Sequence, residues 1–495
     1  MSNELPDVPQ WSLTVDTKCS IVRDRVRSVR TPISIAVVVV AACGSPTPAP
    51  ELPAWDRTLP SAAVMGVRRG LTPARGIVHL HSPYSHDACD GMPRAVDGAV
   101  NEPCLASLRS ALCTTRIDYA NLTDHDDSMA DESFAALFSM RGADQPILRG
   151  GEQIASRLTC DDGHQVAITI GGENDLMPIM LDRHVAGTAA ERHATYNGND
   201  ATTAAAFRAA GGLVWVAHTE SKSLETLRLV QPDGIEVYNL HANIDPTIRK
   251  DYLGLDSSGA ISGAIEFADS NPGHAEPDLA MLSFLSPNGP AIDKWHALLK
   301  EGRRISVTAG SDAHENAIPI LLPDGERGDS YRRVMRWFGN IALVADPKNI
   351  DQVEQALGTG RNFALFEILG TPEGFDVGAA TPGGQTIELG GTVSRTEGAT
   401  LRVGIPRVLG LDPSLPTPTI RARVFWIDPT GPVQMIAEVD GAVDTQVSAA
   451  LSAPGAYRVE ITIVPSHLGP YLHDLGTEMA ERELPWIYTS PIYVQ

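Results

Sequence analysis

The sequence predicts an α/β fold, with an α/β barrel in the larger part of the chain and a small all-β sandwich after it. Apolar runs typical of strands alternate with helix-like stretches between residues 71 and 370, and this alternation favours a parallel sheet closed into a barrel. From residue 387 to 495, strand-like alternation continues without helices, as in a sandwich. The Gly/Pro-rich residues 371–386 between the two patterns predict a linker.

The N-terminal region predicts an export signal. Four arginines, Arg23, Arg25, Arg27 and Arg30, precede the segment TPISIAVVVVAAC, whose apolar part is too short to span a bilayer. The segment ends in Val40-Ala41-Ala42-Cys43, which is similar to a bacterial lipobox. We therefore expect residues 1–42 to be a signal peptide, Cys43 to be lipidated and residues 43–70 to form a Pro-rich tether. The protein would then be exported and would reach the membrane only through this lipid.

Export also decides how the six cysteines are interpreted. Removal of Cys19 with the signal and lipidation of Cys43 leave Cys89, Cys104, Cys113 and Cys160. Four thiols in an oxidising compartment predict two disulfides, and three pairings are open. A zinc site made of all four cysteines is the rival interpretation, which the lack of a Cys-x-x-Cys pair disfavours.

Seven apolar runs are the predicted strands of the barrel: RGIVHLH, DYANLTDHD, PILRGGEQI, HQVAITIGG, GLVWVAHT, DGIEVYNLH and RISVTAGSDAH. Helical segments lie between them. In ATTAAAFRAAGG, Asp200 stands where an N-cap is expected and Gly211 where a helix is expected to end. The last such helix is predicted in KNIDQVEQALGTGRN.

Charge and composition exclude some classes of protein. A hydrophobic content of 43% and a charged content of 20% are typical of a globular protein, and 495 residues accommodate two or three domains. The formal net charge of −22 repels the phosphate backbone, and the sequence contains no basic stripe. Nucleic acid is therefore not an expected partner.

Side chains that bind metals recur where the predicted strands begin or end. His79 and His81 are spaced so that both rings lie on one face of an extended chain. Because the C-terminal ends of parallel barrel strands share one rim, we expect the residues at these ends to meet. The set predicts a metal centre, and imidazoles with carboxylates suit zinc, manganese or iron. Its candidate ligands are His79, His81, His86, Asp87, His125, Glu152, His164, His218, Asp312 and His314. Asn239 and His241, at the end of another predicted strand, are candidate substrate contacts.

The ordered motifs HLHSPYSHD, LTDHD, GGE…H, VAHT and AGSDAH resemble those of the polymerase-and-histidinol-phosphatase (PHP) metallohydrolase superfamily. GIEVYN and the closing SPIYV are similar to its carbaryl-hydrolase-like (CehA/McbA) branch. The resemblance implies a distorted (β/α)7 TIM-like barrel with two to three divalent metal ions at its rim.

The resemblance also implies how the ions are bound. Four residues would bind a first ion: His79, His81, Glu152 and Asp312. Glu152 would bridge to a second ion, bound by His164 and His218. A third ion would be bound by His125, His314 and either His86 or Asp87, of which we favour Asp87. Asn239 and His241 are expected to contact the substrate.

A metal centre with more positive charge than its carboxylates neutralise favours a small anionic or ester substrate. We expect phosphoester hydrolysis by activated water, with no catalytic side chain beyond the residues that hold the ions. Hydrolysis of a carboxylic ester or carbamate is an alternative. A non-catalytic surface protein that uses the barrel as a scaffold is the alternative from another class.

Overall fold

The computed structural model describes residues 52–271, 273–441, 445–476 and 478–495, apart from the side chains at 127 and 128. The predicted signal peptide and Cys43 lie outside these residues. The described strands, in chain order, are β1 (Thr72–Leu80), β2 (Tyr119–Leu122), β3 (Gln145–Arg149), β4 (Glu152–Thr159), β5 (Gln165–Ile170), β6 (Met177–Ile179), β7 (Leu213–Val216), β8 (Gly234–Asn239), β9 (Ser306–Gly310), β10 (Gly339–Val344), β11 (Asn362–Leu365), β12 (Pro372–Glu373), β13 (Asp376–Ala380), β14 (Thr386–Ile387), β15 (Thr392–Val393), β16 (Thr400–Gly404), β17 (Arg407–Val408), β18 (Thr419–Ile427), β19 (Val433–Gly441), β20 (Gln446–Ala450), β21 (Gly455–Val464), β22 (Leu484–Thr489) and β23 (Ile492–Val494).

The described α-helices are α1 (Ala88–Gly91), α2 (Glu102–Thr114), α3 (Asp126–Met129), α4 (Phe134–Leu137), α5 (Ala189–Tyr196), α6 (Ala201–Ala209), α7 (Leu224–Val230), α8 (Leu240–Ile244), α9 (Pro246–Asp251), α10 (Gly259–Ile265), α11 (Gly289–Lys300), α12 (Tyr331–Trp337), α13 (Ile350–Thr359) and α14 (Glu478–Glu481). Short 3-10 helices span Ala62–Met65, Thr219–Ser221, Glu266–Ala268, Pro277–Ser283, Glu367–Leu369, Arg395–Glu397 and Ser466–Leu475. Asp200 caps α6 as expected, because its side chain accepts a hydrogen bond of 2.8 Å from the Thr203 amide.

Two sheets contain the parallel strand pairs. In the larger sheet the order is β15-β23-β21-β22-β11-β10-β1-β2-β5-β4-β3, with β18 beside β21 and β19 beside β18. Strands β1, β2 and β5 are parallel, and β10 runs antiparallel to β1. In the second sheet, β6-β7-β8-β9, the last three strands are parallel. The protein is therefore a mixed α/β fold with a large sheet and helices.

The parallel strands are buried, and they bring their C-terminal ends together. Strands β2, β8 and β9 are buried at every position, as expected where both faces of a sheet are covered. One isolated bridge joins Leu80, at the end of β1, to Ala313, which follows β9. A second joins Ile170, at the end of β5, to Leu181 beyond β6. The ends of β1 and β5 therefore lie next to the second sheet.

The C-terminal strands are continuous with the rest of the fold. Strand β22 pairs with β11, so that Tyr488 lies opposite Ala364, while β14, β13, β16 and β20 form a separate antiparallel sheet. Residues Leu52–Gln495 form one compact unit. The C-terminal strands are thus not detached from the α/β part of the chain.

Residues 371–386, predicted as a linker, carry β12, β13 and the first residue of β14. One glycine of this segment is required by close packing, because a Cβ at Gly378, within β13, would lie 2.5 Å from the Thr386 side chain on the neighbouring strand. Gly374 and Gly384 have positive φ values of 83° and serve turns between the strands. The composition that suggested a linker therefore belongs to short strands and the turns that join them.

Residues 52–70, predicted as part of the tether, also pack on the fold. Leu59 and Met65 are buried, and the Trp55 indole donates a hydrogen bond of 2.9 Å to Asp278. Proline fixes the backbone without preventing burial, so a Pro-rich composition alone does not exclude a packed segment. Within the described residues, no helix has the length and apolar character needed to cross a bilayer.

The structure joins Cys89 to Cys104 and Cys113 to Cys160. The first disulfide links α1 to α2, and the second links α2 to the residue after β4. Two disulfides were expected, and the pairing, which the sequence left open, follows from where α2 lies.

We predict that a proteolytic digest of the unreduced protein contains two linked peptide pairs, one with Cys89 and Cys104 and the other with Cys113 and Cys160. Mass spectrometry before and after reduction measures this directly, because reduction separates the linked peptides. Blocking of thiols before denaturation controls for exchange during the digest. A Cys89–Cys113 peptide, or four free thiols, would contradict this pairing.

Candidate metal centre

Four side chains meet at the end of β1 with the spacing of ligands around one ion. Nε2 of His79 lies 3.3 Å from Glu173 Oε2 and 3.4 Å from Asp312 Oδ1. Nε2 of His81 lies 3.4 Å and 3.1 Å from the same two oxygens and 3.3 Å from His79 Nε2. Ligands about 2.1 Å from a tetrahedral ion lie about 3.4 Å apart. We call this group site A (His79, His81, Glu173 and Asp312).

The other oxygens of the same two carboxylates face a second group. Glu173 Oε1 and Asp312 Oδ2 lie 3.2 Å and 3.3 Å from His218 Nε2. Asp312 Oδ2 also lies 3.0 Å from His241 Nδ1. We call His218, His241 and Asp312 site C. Glu173 and Asp312 thus offer one oxygen to site A and one to site C, which is the arrangement of bridging carboxylates.

A third group, site B, consists of His81, Asp87 and His125. His125 Nε2 lies 3.5 Å from Asp87 Oδ2 and 3.6 Å from Glu173 Oε2. The Ser85 hydroxyl donates a hydrogen bond of 2.6 Å to Asp87 Oδ1, which fixes the carboxylate. Of the two candidates that the sequence left open, Asp87 is therefore the one that joins a ligand group.

Two further histidines lie beside these groups. His314 Nε2 lies 3.8 Å from Asp312 Oδ1, at the edge of site A. The ring centroid of His86 lies 5.1 Å from that of His125, with the two rings tilted by 39°, and the His86 side chain is exposed to solvent. His314 is placed to reach an ion, whereas His86 borders the centre from outside.

A buried carboxylate behind His79 orients that ligand. Glu236 Oε1 lies 2.8 Å from His79 Nδ1, and the Asn239 amide donates a hydrogen bond of 2.8 Å to Glu236 Oε2. With Nδ1 bonded to a carboxylate, Nε2 of His79 is directed towards site A. Asn239 was expected to contact the substrate, but it is fully buried and holds Glu236 instead.

The backbone that presents these ligands is unusual at two of them. His218 has a φ of 48° and Asp312 a φ of 49°, in the left-handed region that residues other than glycine rarely adopt. Such conformations persist at functional sites where the surroundings enforce them. Each residue lies two positions beyond the end of its strand, β7 or β9, where a sharp turn brings its side chain back over the strand ends.

Burial and neighbouring charges shift the pKa values of the side chains in this centre in opposite directions. Burial lowers the pKa of His79, but the carboxylates of Glu173, Glu236 and Asp312 outweigh it and hold that pKa well above its usual value. The pKa of His81 is raised in the same way, to about 10. Burial would raise the pKa of Glu173 and of Asp312, yet the imidazoles, His79 foremost, hold both pKa values well below the usual range. Both carboxylates therefore stay ionised, and a divalent cation would displace protons from the imidazoles.

Two predicted ligands lie elsewhere. Glu152 is exposed at the start of β4, in the hairpin with β3, and joins no ligand group among the described residues. His164 precedes β5, and its Nε2 lies 2.7 Å from the carbonyl oxygen of Ile117, just before β2. The strands begin there, whereas the ligands lie where the parallel strands end. The structure therefore does not bring Glu152 or His164 together with the other predicted ligands.

Glu173 takes the place that was assigned to Glu152. The chain contains Gly-Gly-Glu twice, at 150–152 and at 171–173. The second triplet follows β5, which is buried from Val166 to Ile170, whereas the first follows the largely exposed β3. A Cβ at Gly171 would lie 2.3 Å from the carbonyl oxygen of Pro178, so glycine is required there. The buried strand before the second triplet was the signal that could have identified Glu173.

A cavity of about 380 Å³ opens beside sites A and C. Four residues of the centre line it: Asp87, His241, Asp312 and His314. Much of the remaining wall is apolar, with Leu240, Ile244, Ile261, Ile318, Val334 and Trp337. Among the described residues that line the cavity, none is a lysine or an arginine. His241, expected as a substrate contact, lies where site C meets this cavity.

No protein-family model and no curated protein matches the sequence. Among solved structures, the chain is similar to PsfC from Pseudomonas syringae PB-5123, with 15% sequence identity over 55% of this chain and 82% of that chain. The TM-score is 0.26, and at this value the similarity carries no argument about fold or function.

We predict that Glu173→Gln removes at least one equivalent of bound metal, because Glu173 offers oxygens to two sites and the amide supplies only one neutral ligand oxygen. The loss of affinity should be about 100-fold or more. Metal content after dialysis, measured by atomic emission, tests this.

Glu152→Gln is the matched control, since it makes the same substitution in the other Gly-Gly-Glu triplet. It should leave metal content unchanged. Equal metal content in the two variants would show that Glu173 is not a shared ligand.

Proposed function

We propose that the protein is a metal-dependent hydrolase that uses two to three divalent ions, zinc, manganese or iron, to cleave phosphoesters. The observation that carries the proposal is the pair of shared carboxylates, Glu173 and Asp312, each with one oxygen towards site A and one towards site C. In structural metal sites, all the ligands coordinate a single ion and leave it no open position. Ligands shared between adjacent ions are typical of centres that act on a phosphoryl group.

The residues of the chain have separate roles in this proposal. The imidazoles and carboxylates of sites A, B and C would hold the ions, and Glu236 would fix the ring of His79 through Nδ1. Divalent ions supply Lewis acidity and activate water for attack. The apolar wall that includes Ile318 and Trp337 would exclude bulk water from the substrate.

Charge supports an anionic scissile group. Three divalent ions would bring six positive charges against the ligand carboxylates Asp87, Glu173 and Asp312, with Glu220 and Glu236 behind them. With three ions bound, these five carboxylates would leave one positive charge, which favours a single phosphate or an oxyanion that forms during reaction.

The cavity supports a second candidate, the hydrolysis of a carboxylic ester or carbamate. A substrate with a second phosphate or carboxylate would find no lysine or arginine among the described lining residues, and it would meet apolar side chains and the carboxylates of Asp245, Glu315 and Asp329 instead. The part of the substrate beyond the scissile group is therefore proposed to carry no further negative charge, whichever bond is cleaved.

We also propose that the two sheets close into a distorted (β/α)7 barrel of the PHP type. The bridges Leu80–Ala313 and Ile170–Leu181 support closure, because they join the two sheets beside the ligand-bearing strand ends. In this arrangement His79, His81, Glu173, His218 and Asp312 would all follow or end barrel strands at one rim.

Export as a lipoprotein remains the proposed localisation. Its support is the lipobox-like sequence at Cys43 together with the two disulfides, which suit an oxidising compartment.

We predict that chelator-treated protein is inactive and that zinc, manganese or iron restores hydrolysis of phosphoesters that carry an uncharged organic group. A panel of phosphomonoesters, phosphodiesters, aryl carbamates and carboxylic esters tests this, with Asp312→Asn as the inactive comparison. Activity on carbamates or carboxylic esters alone would favour the second candidate. Metal binding without hydrolysis of any member would favour a non-catalytic protein.

For localisation, we predict that Cys43→Ser moves the protein from the membrane fraction to the soluble fraction or leaves residues 1–42 attached. Fractionation and N-terminal mass analysis of the full chain measure both. Wild-type protein that is soluble and still carries residues 1–42 would contradict the proposal.

A further inference from the structure

A second buried carboxylate lies behind His218 and belongs to none of the three ligand groups. The Glu220 side chain is fully buried, and its Oε1 lies 3.4 Å from Nδ1 of His218. Neither atom has a hydrogen-bond partner among the described residues. Two buried polar atoms without other partners that face each other need an explanation, because leaving them unpaired costs stability.

Helix α11 fixes the position of Glu220. The Asn288 amide nitrogen donates a hydrogen bond of 2.8 Å to Glu220 Oε2, while its oxygen caps α11 by accepting one of 3.1 Å from Ala291. Lys294, on the same helix, donates hydrogen bonds of 3.0 Å and 2.6 Å to the carbonyl oxygens of Thr219 and Glu220. The turn that carries Glu220 is thus held from outside the metal centre.

We propose that Glu220 is a positioning residue of the metal centre, whose Oε1 accepts the Nδ1 proton of His218 and so leaves Nε2 without a proton to bind a divalent cation at site C. The inference rests on the proposed metal-dependent function and adds a residue to it. A neutral imidazole carries one proton, and the partner of one ring nitrogen decides which nitrogen has it. Glu236 lies in the corresponding position behind His79, where its Oε1 is already hydrogen-bonded to Nδ1 at 2.8 Å.

The orientation of Asn288 makes this role testable. Because the Asn288 oxygen caps α11, its amide nitrogen must face residue 220 as a donor. In Glu220→Gln, the new amide would then turn its oxygen to Asn288 and its nitrogen to His218. Nδ1 of His218 would have to accept, so the proton would move to Nε2, where it blocks cation binding.

A second substitution, at Asn288, should restore the zinc binding that Glu220→Gln weakens. In the double variant Glu220→Gln/Asn288→Asp, one oxygen of the carboxylate introduced at position 288 can still cap α11, and the other can accept from the amide nitrogen introduced at position 220. The oxygen of that amide then faces His218 Nδ1, as the Glu220 oxygen does in the wild type. Glu220→Ala removes the acceptor without supplying a donor, and water can take the Nδ1 proton there.

The experiment is calorimetric titration of the full chain, freed of metal by chelator, with zinc alone. We expect Glu220→Gln to weaken one class of zinc site about 10- to 100-fold, Glu220→Ala to weaken it less, and the double variant to recover about tenfold or more of the loss. Thermal unfolding of the metal-free proteins controls for stability.

A residue that only fills space gives the opposite order, with Glu220→Ala worse than Glu220→Gln, and that order would overturn the inference. Wild-type zinc affinity in Glu220→Gln, or a double variant no better than the single one, would overturn it as well. Wild-type protein that binds no zinc would overturn the metal centre itself, so the two failures are distinguishable.

Discussion

The shared carboxylates of Glu173 and Asp312 are the constraint on which the rest of the structure depends. Both are buried, where an isolated negative charge is strongly unfavourable. They remain ionised because His79, His81 and His218 surround them at 3.1–3.4 Å. This concentration of opposite charges requires a backbone that holds all five side chains in one place. The ends of the buried parallel strands provide that backbone.

Buried carboxylates lie behind two of these imidazoles, on the side away from Glu173 and Asp312. Each of two imidazoles has a carboxylate behind it, Glu236 for His79 and Glu220 for His218, and each carboxylate is held by an asparagine. Both asparagines also cap a helix, Asn239 at α8 and Asn288 at α11. The helices around the strands therefore do more than cover apolar surface, because the asparagines at their first turns hold the carboxylates that lie behind His79 and His218.

The sequence predicted the parts of this site that depend only on local spacing. His79 and His81 share a face of one strand, and Asp312 follows a buried run, so their positions could be inferred from periodicity. The choice between Glu152 and Glu173 had a weaker signal, because both follow Gly-Gly and the run VAITI before the second triplet is only somewhat more apolar than PILR before the first. Strand pairing separates the two clearly, since one lies at a hairpin and the other after a buried parallel strand. The position of His164 could not be inferred for a related reason, because the sequence did not show that this residue lies at the beginning of its strand and not at the end. The strands within 371–386 were hidden by glycines, of which Gly378 is packed against Thr386 while Gly374 and Gly384 adopt positive φ in turns.

The disulfide between Cys89 and Cys104 restrains the segments that carry Asp87 and His314, at the outer side of the centre. Asp87, the carboxylate of site B, is two residues before Cys89, and no regular strand holds it. The Cys89 amide donates a hydrogen bond of 2.8 Å to the carbonyl oxygen of His314, so one covalent link to α2 restrains both the Asp87 loop and the segment that carries His314. At sites A and C the sheet and its capping asparagines fix the candidate ligands, whereas at site B the disulfide adds to the Ser85 hydrogen bond in restraining Asp87. A thiol-reducing compartment would therefore loosen site B before the other two, which gives the proposed export a physical connection to the metal centre.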